Sequence, residues 1–98
     1  MHATIRRYAS RELADQLAAR TDEVESLMSQ VHGLRSYDLI RTEDGCASIT
    51  VCDDQAGTDE STQIAGNWIR ENLPNLAQTA PDISAGEVIV HAGGAVRA

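Results

Sequence analysis

Ala47-Ser48-Ile49-Thr50-Val51-Cys52 alternates apolar and small polar residues. Asp53-Asp54-Gln55-Ala56-Gly57 follows, and a helical pattern then runs to Leu73-Pro74. Alternation with period two is the mark of a half-buried strand. After it, Ala56, Ile64, Ala65, Trp68, Ile69 and Leu73 recur near helical spacing. Between the two patterns, the paired aspartates supply the side-chain oxygens that cap a helix N-terminus. A strand that feeds straight into a helix implies layers of helix on sheet, and the chain's single Trp sits on that helix.

Working outward, Ala3 to Tyr8 reads as a first strand. Ser10 is a candidate N-cap, with Glu12 in the first turn, where the helix dipole favours an acid. Leu13, Leu17, Val24, Leu27, Met28 and Val31 then form one apolar stripe; Thr21 interrupts it, which predicts a bend or a polar contact. Gly33 is the stop signal. Tyr37 to Arg41 reads as a second strand, and Glu43-Asp44-Gly45 holds an Asp-Gly hairpin signal leading into the third strand. The second helix is expected over about Gln55 to Asn72 and ends at Pro74. The fourth strand is expected from Ile83 to His91, centred on Val88-Ile89-Val90.

Strand, helix, strand, strand, helix, strand is the order of an α+β, ferredoxin-like βαββαβ plait. It predicts a four-stranded antiparallel sheet in spatial order 4-1-3-2 with two helices on one face. Residues 1–92 are expected to form a single domain, followed by a flexible tail, 93–98. An apolar match of strands 1 and 4 sets Ile5 opposite Val88 and Ala3 opposite Val90, both under the helices. His2 then faces His91, Thr4 faces Ile89, and Arg6 faces Glu87 on the other side, as a cross-strand ion pair. On the third strand Ile49 and Val51 take the helix side. The open side is expected to show Thr4, Arg6, Tyr8, Ser48, Thr50, Cys52 and Ile89, with Tyr37, Leu39 and Arg41. That mixed face suits closure onto a second copy, the commonest assembly being a twofold homodimer.

The 98 residues carry fifteen acids against eight bases, for a net charge of −7, and every base is Arg. Nucleic-acid binding needs a concentrated basic surface, and none is present. The same charge argues against an anionic membrane, and no apolar run approaches the ~20 residues of a bilayer span. Cys46 and Cys52 lie about 20 Å apart along one strand at ~3.3 Å per residue, too far to bridge within it. They read as free thiols of a reducing compartment. Met1 to Ser10 has no apolar core of a signal peptide, so the expected location is cytoplasmic.

The run Gly33-Leu34, Tyr37-Asp38-Leu39, Ser48-Ile49-Thr50-Val51, Asp53-Asp54-Gln55-Ala56-Gly57, Glu60-Ser61 and Trp68 resembles the dimeric α/β-barrel superfamily. It is most similar to the antibiotic-biosynthesis-monooxygenase-like branch. The resemblance covers about residues 3 to 91; it is specific for fold and weak for reaction. It implies a homodimer whose two sheets face each other across a partly filled barrel. It also implies ligands that are small aromatic compounds, oxidised in some members without metal or flavin.

Arg6, Tyr8, Tyr37, Arg41, Ser48, Thr50 and Cys52 are therefore the ligand-cavity candidates, in a cavity expected between the two sheets. No metal site and no cofactor are expected. Trp68, at i+4 from Ile64, reads as a core residue, and Asn67, about 100° away around the helix, as a surface one. His32 has no motif for haem ligation. His2 and His91 lack a third metal ligand. Cys52 has no basic neighbour in sequence to activate it. Asp53-Asp54 reads as a cap before a metal site. Two functions stay open at this point. One is a protein that binds, or oxidises without a cofactor, a small aromatic compound. The other is a non-catalytic structural or regulatory homodimer with a filled barrel. Whether a reaction occurs is not written in these residues, since no convincing base stands among them. A cavity between the two sheets below ~300 Å³ would sink the first reading.

Overall fold

The computed structural model describes residues 1–92, and the expected tail, 93–98, lies outside the described residues. β1 (His2–Tyr8) leads to α1 (Arg11–Ala18) and α2 (Thr21–Met28). The hairpin of β2 (Leu34–Thr42) and β3 (Gly45–Cys52) follows. Then come α3 (Gln55–Asn72), a 3-10 turn (Pro74–Leu76) and β4 (Asp82–Glu87). The strands lie in the order β2-β3-β1-β4 with every neighbour antiparallel. This is the ferredoxin-like plait, with one amendment: the expected first helix is two helices.

The division falls where the apolar stripe is interrupted. Ser10 caps α1, its Oγ accepting from Leu13 N at 3.1 Å. The chain then tightens, Arg20 N donating to Leu17 O at 3.0 Å. α2 restarts at Thr21 without a side-chain cap, and Asp22 and Glu23 in its first turn face the positive end of its dipole. α2 ends at Met28, before the expected stop. Gly33 instead makes the turn into β2, at φ 68°, the region glycine occupies without strain. α3 starts as expected, Asp54 accepting from Gly57 N at 3.1 Å.

The hairpin is present, but its two loop residues are Glu43 and Asp44, because Thr42 pairs with Gly45. Gly45 has a different task. A Cβ there would lie 2.0 Å from Tyr8 O and 2.6 Å from Ser10 N, so glycine lets the start of β3 pass against the end of β1.

Two expectations about the sheet are corrected. First, the faces are inverted. The helices cover Thr4, Arg6, Tyr8, Cys46, Ser48, Thr50 and Cys52, all buried, while Ala3, Ile5, Ile49 and Val51 point to the open side. Second, β4 is displaced by four residues along β1: Arg6 lies opposite Ile83, Thr4 opposite Ala85, Ile5 opposite Ser84 and His2 opposite Glu87. Arg6 and Glu87 therefore do not pair, nor do His2 and His91. An even shift keeps each residue's face, so alternation could not detect it. The ladder runs one bond further, Val88 N to Met1 O at 2.9 Å, and the apolar run then leaves the sheet, with Ile89 88% and Val90 82% exposed. The core lies between sheet and helices: Tyr8, Leu13, Leu17, Val24, Met28, Val31, Trp68, Ile69 and Leu73 are buried there.

Candidate functional site

Arg6 is the largest fully buried side chain, 1% exposed. β1 points it at α3, where Nη1 donates to Ser61 Oγ at 3.1 Å and to Thr62 Oγ1 at 3.2 Å; Nη2 donates to Thr50 Oγ1 of β3 at 3.4 Å. Ser61 and Thr62 each donate their own proton to Thr58 O, at 2.7 and 3.3 Å, which leaves their lone pairs for the guanidinium. Hydroxyls solvate this cation. Among the described residues no carboxylate pairs with it, and neither Arg6 Nε nor the buried Ser48 Oγ has a hydrogen-bond partner.

Beside Arg6 is a small chamber of about 30 Å³, walled by Arg6, Tyr8, Tyr37, Ser48 and Trp68 among apolar side chains. It adjoins a half-open cleft of about 520 Å³ between α1, α2 and β2. Leu17, Val24, Met28, Tyr37 and Leu39 wall both. The cleft's polar groups include Tyr37, Arg41, Thr21 and Glu25 against a mostly apolar lining. Burial pushes the Tyr37 phenol up to about 12 and raises Tyr8 as well, with the Arg6 charge opposing both. Both tyrosines are neutral hydrogen-bonding groups at physiological pH.

The structure thus brings six of the seven candidates to one region. Arg6, Tyr8, Tyr37 and Ser48 meet at the chamber, Thr50 holds Arg6, and Arg41 lies in the outer cleft, where Nη1 also donates to Asp15 Oδ1 at 2.7 Å. They meet between sheet and helices within one chain, not on the open face. Cys52 stands apart, packed under Gly57 at the start of α3. Burial raises the thiols of Cys46 and Cys52 above their ordinary value, which disfavours the nucleophilic thiolate.

Trp68 is 9% exposed within the core, its Nε1 donating to Glu23 Oε2 at 3.1 Å and its ring lying 5.8 Å from the Arg20 guanidinium. Asn67 is exposed and accepts from Arg70. His32 is exposed and engages Glu60, whose carboxylate accepts from His32 N at 2.7 Å and lies 3.1 Å from Nδ1. His2 Nδ1 lies 2.7 Å from Thr58 Oγ1. Among the described residues no group of three or more His, Cys, Asp or Glu converges as metal ligands would. None has a helix long and apolar enough to cross a membrane.

The residues that sequence reasoning missed are Thr58, Ser61 and Thr62. Their i, i+3, i+4 spacing places three hydroxyls on one stripe of α3, a polar signal that apolar periodicity does not carry. Leu17, Val24 and Met28 of the apolar stripe also wall the cleft.

No family model and no curated protein matches the chain. Solved structures do. Rv0793 from Mycobacterium tuberculosis is 22% identical with a TM-score of 0.68, over 94% of this chain and 98% of that one. A dimeric ferredoxin-like protein from an uncultured marine organism is 15% identical, TM-score 0.58, over 95% and 96%. The ActVA-Orf6 monooxygenase of Streptomyces coelicolor, in complex with the ligand Nanaomycin D, is 13% identical, TM-score 0.61, over 95% and 89%. At such identities the likeness is one of fold, and function must be argued from the site. The fold of this chain is the ferredoxin-like plait that these solved structures share.

Proposed function

We propose that this chain is a homodimeric protein that binds a small aromatic compound in the cleft between α1, α2 and β2 of each protomer. The observation that carries this reading is the cleft itself. At about 520 Å³ it lies within the ~300–1,000 Å³ range of small-molecule sites, with mostly apolar walls and a few polar groups to orient a ring. The monooxygenase among the structural relatives suggests the reaction class: oxidation by dioxygen of an electron-rich phenol or hydroquinone, whose own anion supplies the electrons. Tyr37, kept neutral by burial, and Arg41 would then orient the ring while the apolar walls limit water.

The homodimer is supported by what the sheet leaves uncovered. Ile5, Ile40, Ile49 and Val51 lie on the open face, and Ile89 and Val90 stand beyond β4. A second copy laid on that face would bury both groups and complete a barrel from two sheets.

The binding reading is tested with 2-naphthol and substituted hydroquinones, titrated against Trp68 fluorescence. Saturable binding is expected in the parent protein and not in Ala18→Phe, where an exposed small residue lining the cleft becomes a plug and Trp68 stays the single indole fluorophore. Equal binding by the two proteins would place the ligand elsewhere, and a lack of binding would leave the cleft without this role.

A further inference from the structure

We infer that the inner chamber at Arg6 is an anion-binding subsite, and that the ligand of the cleft is a monoanion carrying a carboxylate or phenolate oxygen on its apolar ring. The inference rests on the cleft being a ligand site, and it adds the ligand's charge and orientation.

The argument begins with the cost of Arg6. A guanidinium stays charged in proteins. Taking it out of water is expensive unless a counter-charge or a full set of acceptors replaces the lost hydration. Three hydroxyls accept from its two terminal nitrogens, but hydroxyls carry no charge, and Nε is left without an acceptor. Ser48 Oγ, equally buried, is also unpartnered and walls the same chamber. Two buried, unpartnered polar atoms at one small void describe a receptor for a group that can accept hydrogen bonds.

Charge and size then define that group. Tyr8 and Tyr37, the other polar walls, are protonated, so neither neutralises Arg6, while both can donate to an anion. A chamber of about 30 Å³ has room for a small polar head and not for a ring. The ring's place is the adjoining cleft of about 520 Å³, behind shared walls. One guanidinium matches one negative charge, and charge-assisted hydrogen bonds of this kind are roughly twice as strong as neutral ones. Hydroxyls that fix Arg6 from α3 and β3 preorganise the donor, so little ordering remains to be done on binding.

The test compares 2-naphthoate, 2-naphthol and the neutral isostere 2-naphthamide at neutral pH, with sodium iodide as an arm for a free inorganic anion. At least about tenfold tighter binding of naphthoate than of naphthamide assigns a carboxylate head. Binding of naphthol with the absorbance of its anion assigns a phenolate. In Arg6→Met either preference should shrink to under about threefold, and in Ser48→Ala it should shrink in part. Naphthamide binding as tightly as both overturns the anionic head while leaving the cleft as a site. Displacement of naphthoate by iodide in the same concentration range reduces the chamber to an inorganic-ion site and also overturns the inference. Failure of all three aromatics removes the cleft reading and this one with it. If Arg6→Met does not fold, the isostere comparison in the parent protein and in Ser48→Ala decides.

Discussion

Tyr37 loses the solvent that would stabilise its phenolate, and that loss has a signed consequence for stability. Its folded value of about 12 lies above the ~10 of an unfolded tyrosine. The unfolded chain therefore gives up its proton first as pH rises. The stability contributed by the neutral phenol is complete below pH ~10 and is lost between about 10 and 12. Tm should fall across that window, and less steeply in Tyr37→Phe; phenolate absorbance rising at the ordinary tyrosine pH in the folded protein would show that Tyr37 is not enclosed. Gly45 gives a second test at the same scale. A Cβ there meets the Tyr8 carbonyl, which is backbone and cannot swing aside. Gly45→Ala should cost about 3 kcal/mol or more in urea denaturation, at or above the upper end of overpacking effects. Trp68→Ala should cost roughly 3–5 kcal/mol, since the indole is core and its Nε1 is tied to Glu23.

The elements show what the chain's patterns determine and where they fall silent. Alternation in β3, the caps at Ser10 and Asp54 and the punctuation at Pro74 placed each element in order, because each signal is local chemistry acting over a few residues. The break between α1 and α2 was signalled by Thr21. The face of the sheet was not legible, since hydrophobic-inside reasoning assumes that only one face is covered. Here α3 brings Ser61 and Thr62, and β3 brings Thr50, to accept from Arg6, so the polar face of β1 goes inside and Ile5 and Ile49 remain for the other side. The candidates share one face of the sheet, so the inversion carries them together to the helix side. The register of β4 was equally hidden, as a shift of four residues preserves every face. The displaced register makes its own prediction. Arg6 and Glu87 are four positions apart in the pairing, so a double-mutant cycle between them should be additive within about 0.5 kcal/mol. Coupling well above that would restore the register expected from sequence. Ser10→Ala should cost about 1 kcal/mol by leaving the first turn of α1 uncapped, and this shift in the urea midpoint should be independent of Arg6.

For the whole molecule, two opposing forces decide how a pair of chains would associate. The proposed interface is apolar at its centre: Ile5, Ile49 and Val51 on the sheet, with Ile89 and Val90 beyond it. Burial there is nearly independent of ionic strength. Each chain also carries a net charge of −7, so two copies repel over distances that salt shortens to about 8 Å under physiological conditions. Salt therefore weakens the repulsion and leaves the attraction in place. Sedimentation at micromolar concentration should report about twice the chain mass, and the dimer's Kd should fall as sodium chloride is raised from low to moderate concentration. An interface held instead by ion pairs at its edge, such as Arg7 of one chain with acids of the other, would respond in the opposite sense, loosening with salt. Ile49→Asp discriminates further. It sets a carboxylate at the centre of the open face, away from the core between sheet and helices. The variant should sediment as a folded monomer at every salt concentration, with binding of 2-naphthol retained because the cleft lies within a single chain. A dimer that persists in Ile49→Asp would require the interface to lie on another surface.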